Sequence, residues 1–270
     1  MTAHEEHVLA DGGVTRVVRV GNTVRRPVRP FTQTVQAYLR HVRAAGVDFV
    51  PEPLGYDEQG REVLSYVAGD VPVEPLPAWA TTDAVLIALA SMIRRLHDAA
   101  SGWSPPAEAV WGTIPGLEEL DLSPLFDVPE LVSHQDYCPG NVVFNDGLPA
   151  GLIDFDLARP TTRVADCVNA LSWWVPLKPP VDRPPALARV DAGQRVRVFA
   201  DAYGMTTEQR VQVVPVALQR SRNTVISMQA TAQTDPVFTA WWEEGLKDRL
   251  PRAADWLEGE AEAIQSQLLD

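Results

Sequence analysis

A chain of 270 residues with 46% hydrophobic and 7% aromatic residues and 23 prolines spread along its length can bury a sizeable core in one large domain or two lobes, which excludes a disordered protein. The formal net charge of −13 excludes a nucleic-acid partner recruited by overall electrostatics, since phosphate binding needs the opposite sign. No apolar run approaches the roughly eighteen residues of a membrane span, the start Met1–His7 lacks a signal-peptide pattern, and the two cysteines, Cys138 and Cys167, fit a reducing compartment; a cytoplasmic protein without a membrane partner is expected.

The first seventy or so residues read mostly as β-structure. Glu6 to Ala10, Thr15 to Val20 and Thr23 to Val28 are predicted strands, joined by turns at Asp11-Gly12-Gly13 and Gly21-Asn22. Pro27 and Pro30 end the pairing. A helix is expected from Thr32, its N-cap, to Ala45, stopped by Gly46, with Val35, Leu39 and Val42 on its buried face. Leu54-Gly55-Tyr56 and Glu62 to Val67 then read as a second antiparallel pair. Ala68-Gly69-Asp70 and the prolines up to Pro77 form a linker, so a small lobe is placed at 1–69 and a larger one at 70–270.

From Thr82 to Ala100 the apolar residues Val85, Leu86, Leu89, Met92, Ile93 and Leu96 recur at three and four, the pattern of a buried amphipathic helix. Ser101 to Pro129, with the acidic patch Glu118-Glu119-Leu120-Asp121, reads as irregular chain with one short helix. Val142-Val143-Phe144 and Gly151-Leu152-Ile153 form a hairpin around Asn145-Asp146-Gly147, which brings Asp136 and Asp154 to one end of it. Further helices are expected near Val164–Trp174, Ala192–Tyr203, Thr207–Ala230, Val237–Leu246 and Arg252–Leu269.

The chemistry concentrates in His134-Gln135-Asp136, with Asn141 five residues on, and in Asp154. Phosphoryl transfer requires a carboxylate to orient the attacking hydroxyl and a divalent cation to bridge phosphate oxygens. Asp136 suits the first task. Asn141 and Asp154 suit the second as oxygen ligands. His134 is expected to buttress the loop, and Cys138 is read as a small loop residue rather than a nucleophile.

These residues, with Ile153-Asp154-Phe155-Asp156, resemble the catalytic and metal motifs of the aminoglycoside phosphotransferase family, small-molecule kinases related to the protein kinases. Arg95-Leu96-His97-Asp98, Asp166 and Trp173-Trp174-Val175-Pro176-Leu177 agree, the last with an actinobacterial-type subgroup. The resemblance implies an α+β, two-lobed kinase-like fold with a small antiparallel-sheet lobe and a mainly helical one. ATP would bind between the lobes, with adenine against the backbone of Ser65, Tyr66, Val67 and Ala68 and between Val24, Val143 and Ile153. Mg²⁺ would sit on Asn141 and Asp154, and Asp136 would act as the catalytic base. Asp166 would tie down the catalytic loop.

The pattern departs from the family in the small lobe. On the third strand Arg26, two residues from Val24 and on its face, takes the place of the phosphate-gripping lysine. On the helix, Val35 and Gln36 stand where a glutamate partner would be, so the Lys–Glu pair is expected to be missing. The expected reaction is ATP-dependent O-phosphorylation of a small molecule, an aminoglycoside or related metabolite. The alternatives are a choline-like, homoserine-like or peptide Ser/Thr hydroxyl, or a non-catalytic pseudokinase-type module.

Overall fold

The structure, a computed structural model, describes residues 6–10, 16–73, 75–114, 116–117 and 120–270. The turn Asp11-Gly12-Gly13 and the residues Glu118 and Glu119 lie outside the described residues. Five antiparallel strands build the small lobe: β1 (His7–Ala10), β2 (Val17–Val20), β3 (Thr23–Arg26), β4 (Pro53–Tyr56) and β5 (Glu62–Ser65), in the order β1-β2-β3-β5-β4. Gly21, at φ +60°, supplies the left-handed turn between β2 and β3. The expected sequence of three strands, a helix and two strands is thus realised.

Between β3 and β4 runs α1 (Thr32–Ala44). Its N-cap is Phe31 rather than Thr32, which is the first helical residue; the Thr32 hydroxyl accepts instead from the Arg29 amide at 2.9 Å. Gly46 at φ +92° stops the helix as expected. Val35, Leu39 and Val42 are buried with Tyr38, whose ring meets Trp103 and Phe155 of the large lobe at 5.3 and 6.1 Å. Aromatic packing therefore couples α1 to the segment that carries Asp154.

The connector is fastened by a short bridge: the Asp70 and Phe144 amides and carbonyls exchange hydrogen bonds of 2.8 and 2.7 Å. Gly69, at φ +147°, lies so close to the Phe144 carbonyl and the Val143 side chain that a Cβ would collide with both. Beyond it, α2 (Asp83–Ala100) opens on Thr82, whose hydroxyl caps the Val85 amide. Two small antiparallel pairs follow, β6 (Leu131–Ser133) with β9 (Arg159–Thr161), and β7 (Val142–Asn145) with β8 (Leu148–Leu152). The first pair has only three residues per strand and includes Pro160, too little for alternation to be read.

The helical part is completed by α3 (Arg163–Trp174), α4 (Ala192–Tyr203), α5 (Thr207–Thr231), α6 (Pro236–Trp241) and α7 (Lys247–Leu269). Where one helix was expected from Val237 to Leu246, α6 ends at Trp241 and a π-helical turn, Trp242–Leu246, follows with Gly245 at φ +117°. Helix α7 starts five residues before Arg252 and carries Pro251 inside it, at its fifth residue, where a proline forgoes one helical hydrogen bond. No helix occurs between 101 and 129 among the described residues. No described helix is long and apolar enough to cross a membrane. The fold is α+β and two-lobed, kinase-like, with a small antiparallel-sheet lobe and a larger mainly helical one.

Candidate active site

The loop after β6 is gripped by one face of α3. Gln135 sits at φ +62°, an uncommon conformation for a side chain of its size. Asp166 accepts from the Gln135 amide at 3.0 Å and from its side-chain Nε2 at 2.6 Å. Asn169 donates to the Gln135 carbonyl at 2.7 Å and accepts from the Tyr137 amide at 2.9 Å, while Trp174 Nε1 donates to the Tyr137 carbonyl at 2.7 Å. Five hydrogen bonds from one helix thus over-determine the strained backbone that presents Asp136.

Asp166 is wholly buried. Its other oxygen meets His97 Nε2 at 2.7 Å and accepts from the Tyr137 hydroxyl at 2.5 Å. Burial opposes its ionisation, but the hydrogen bond and charge of His97, with further bonds from Tyr137 and Ser133, hold its carboxyl down at about 2. The expectation that Asp166 ties down the catalytic loop holds, and it extends to Asn169, Tyr137 and Trp174. Asn169 lies at helical spacing after Asp166 on α3, the available clue to its role, while Tyr137 lies in the loop itself.

His134 acts as a strut. Its Nδ1 accepts from the Asp136 amide at 3.2 Å, which leaves the proton on Nε2 to be donated to the Ile153 carbonyl at 2.9 Å. One side chain therefore fixes the spacing between Asp136 and the strand end before Asp154. Asn141 Nδ2 donates to the Asp136 carbonyl at 3.0 Å and to its Oδ2 at 2.9 Å. Burial, with the charge of Asp154 adding to it against His134, raises the Asp136 carboxyl above the usual range. A base whose pKa moves towards neutrality accepts a hydroxyl proton more readily.

Asp154 stands at φ +60° with its side chain 53% exposed. Asp136, Asn141 and Asp154 are thus brought together as the hairpin predicted. Asn141 has its amide nitrogen committed to Asp136 and leaves its oxygen for a cation; with Asp154 this is a hard, all-oxygen pair of the kind Mg²⁺ takes alongside phosphate oxygens. No group of three or more His, Cys, Asp or Glu gathers for a metal among the described residues, so the residues fit a cation shared with phosphates rather than one caged by protein alone.

The small lobe corrects one expectation. A carboxylate does pair with Arg26, but it comes from β5 and not from the helix. Glu62 is the direct cross-strand partner of Arg26, is fully buried, and accepts from Arg26 Nε at 2.5 Å. Gln36, on α1 where the glutamate was sought, donates to the other Glu62 oxygen at 3.0 Å. Arg26 Nη1 also lies 2.6 Å from Asp156 Oδ1, an ion contact without hydrogen-bond alignment, and 3.6 Å from Asp154. Desolvation works against the Arg26 charge, yet Asp156 and then Glu62 outweigh it and raise its pKa. Asp156 is pushed up to about 6, by burial first and the Asp154 charge, against Arg26.

Of the residues expected around adenine, Val24 and Ile153 are half-buried and Val143 is 1% exposed, covered by the connector at Gly69. Ser65 and Tyr66 have committed their amides to the Glu52 and Asn22 carbonyls, at 2.9 Å each. Cys138 is no nucleophile: burial, with the charge of Asp136, pushes its thiol up to about 12.

Residues 105–203 match the phosphotransferase enzyme family. A trifolitoxin immunity protein from Rhizobium leguminosarum bv. trifolii is 29% identical over 98% of this chain and 99% of its own length. The homoserine kinase of Phenylobacterium zucineum (strain HLK1) is 38% identical over 30% of this chain and 29% of its own. Among solved structures, a choline/ethanolamine kinase family protein from Mesorhizobium loti superposes with a TM-score of 0.63 at 17% identity, covering 99% and 93% of the two chains. Aminoglycoside 2'-phosphotransferase-IIIa does so with 0.53 at 14% identity, covering 96% and 93%. The matched segment, which holds Asp136, Asn141, Asp154 and Asp166, is similar to the phosphotransferase enzyme family, and the fold around it is kinase-like.

Proposed function

We propose that the protein transfers the γ-phosphoryl group of ATP to a hydroxyl of a small molecule, between a nucleotide-binding lobe at 1–69 and a catalytic lobe at 70–270. The observation that carries this reading is Asp136, held by Asn141 at 2.9 Å and close enough to Asp154 for their charges to interact. Asp136 orients the acceptor hydroxyl and takes its proton as the phosphoryl group is transferred. Mg²⁺, held by Asn141 and Asp154, would supply charge neutralisation on the phosphates. Arg26, backed by Glu62, steadies the phosphates from above, and Val24, Val143 and Ile153 with Val67 and Ala68 hold the adenine.

The Arg26–Glu62 pair supports catalysis over a nucleotide-free scaffold, because a buried ion pair aimed at the Asp154 loop has no evident structural need. ATP consumption across a panel of hydroxyl acceptors, comparing wild type with Asp136→Asn, tests the reading. A Mg-ATP melting shift without turnover on any acceptor would favour a binding module, and no shift with any nucleotide a scaffold.

A second reading concerns the biological role. The relative that matches nearly the whole chain is a trifolitoxin immunity protein, which supports phosphorylation of a toxic compound as the purpose of the transfer. Protection of sensitive cells that depends on Asp136 would separate this role from a metabolic one.

A further inference from the structure

Two arginines of the large lobe lie within electrostatic reach of Asp136 and have no carboxylate partner among the described residues. Arg159 lies on β9, where it is the cross-strand partner of Ser133, the residue from which the His134-Gln135-Asp136 loop departs. Arg220 lies on α5, which packs against α3, the helix that holds that loop. Both side chains are half-buried. Each guanidinium feels the charges of Asp136 and Asp166, and that of Arg159 bears on Arg220. The four groups therefore share one small region.

The carboxylates there are already committed. Asp166 is closed off by His97, Tyr137 and Gln135, and Asp136 by Asn141. Among the described residues neither Arg159 nor Arg220 has a carboxylate within ion-pair distance or a hydrogen bond from its guanidinium. Burial, and next the charge of Arg159, push Arg220 down to about 10. Two like charges held together in a half-dry place are costly to the fold, and a bound anion is what would offset that cost. Arg26, proposed above to steady the nucleotide phosphates, lies on the other lobe.

We propose that Arg159 and Arg220 form an anion subsite for the acceptor, so that the molecule phosphorylated carries a carboxylate or phosphate group near its reacting hydroxyl. The inference rests on the phosphotransfer reading of Asp136. It deepens that reading by setting the acceptor apart from purely cationic alcohols, even though the chain as a whole is acidic. Guanidinium forks suit planar or tetrahedral oxyanions, and pinning the anion would aim the hydroxyl at Asp136.

The test is calorimetric titration of sodium sulfate into the full chain saturated with Mg·AMP-PNP, for wild type, Arg159→Gln, Arg220→Gln and Arg220→Lys. The expected result is sulfate binding that weakens about tenfold or more in each Gln variant, by loss of a charge-assisted contact, and is partly kept by Arg220→Lys. Acetate and inorganic phosphate, titrated in the same way, separate a carboxylate from a phosphate group. No sulfate binding to wild type, or equal binding to both folded Gln variants, overturns the proposal; melting curves establish that the variants fold. The preceding AMP-PNP titration reads the nucleotide site by itself. Absence of nucleotide binding would sink the phosphotransfer reading and with it the acceptor role, whatever the sulfate shows. Nucleotide binding with arginine-independent sulfate sinks only the subsite.

Discussion

Arg26 and Glu62 face each other as cross-strand partners on β3 and β5, with both side chains buried and 2.5 Å between Arg26 Nε and Glu62 Oε2. Removing Glu62 strands a guanidinium that desolvation already disfavours. Glu62→Ala is expected to cost about 3 kcal/mol in a urea melt, as for other broken buried pairs, and to weaken Mg-ATP binding. Equal stability of the variant would mean that Asp156 alone suffices.

Asp136→Asn keeps the side-chain shape and removes the proton acceptor. The expected outcome is a fall of about 10²–10⁴-fold in kcat, the usual worth of a general base, with the Mg-ATP melting shift preserved. Single-turnover phosphotransfer measures the first and thermal scanning the second.

Asp166 gives a pH-dependent prediction. Its folded pKa, about 2, lies below the ordinary aspartate value of 3.8, so its stabilising contribution is present above the unfolded pKa and is lost as pH falls through the folded one. Asp166→Asn is expected to be less stable than wild type at neutral pH, with the difference in Tm shrinking as pH is lowered from about 5 towards about 2. It should also lower kcat, since Gln135 at φ +62° loses its main restraint.

At the connector, Gly69→Ala forces a methyl group onto the Phe144 carbonyl and the Val143 side chain. The expected effect is a shifted connector, read as a higher KM for ATP with a small change in KM for the acceptor. Equal KM values for both substrates would place the adenine edge elsewhere.

The large lobe was legible where chemistry and structure are local. The residues from His134 to Asp156 carry the proposed base and cation ligands and the hairpin within one short stretch, and α2, α4 and α5 announce themselves by period or caps. What stayed hidden depends on distant pairing. Glu62 reaches Arg26 across a sheet register that spans 36 residues of sequence, and in the chain it precedes the apolar pair Val63-Leu64 with nothing local to mark it; α1 offers only Gln36, which braces Glu62 instead. Arg159 and Arg220 are isolated in sequence and acquire meaning only in the fold, where β9 pairs with the strand that leads into the His134–Asp136 loop and α5 packs on α3, which holds that loop. The short strands β6 and β9, and the break between α6 and its π-helical turn, fall below the length at which periodicity speaks.

The central claim is that Asp136 and Asp154 belong to a working phosphotransfer site. It is tested most directly by ATP consumption, in the presence of Mg²⁺, across a panel of anionic, neutral and cationic hydroxyl compounds with wild type and Asp136→Asn side by side. The account predicts acceptor-stimulated ATP consumption by wild type that Asp136→Asn loses by about a hundredfold or more. Stimulated consumption of equal rate in both proteins would contradict it.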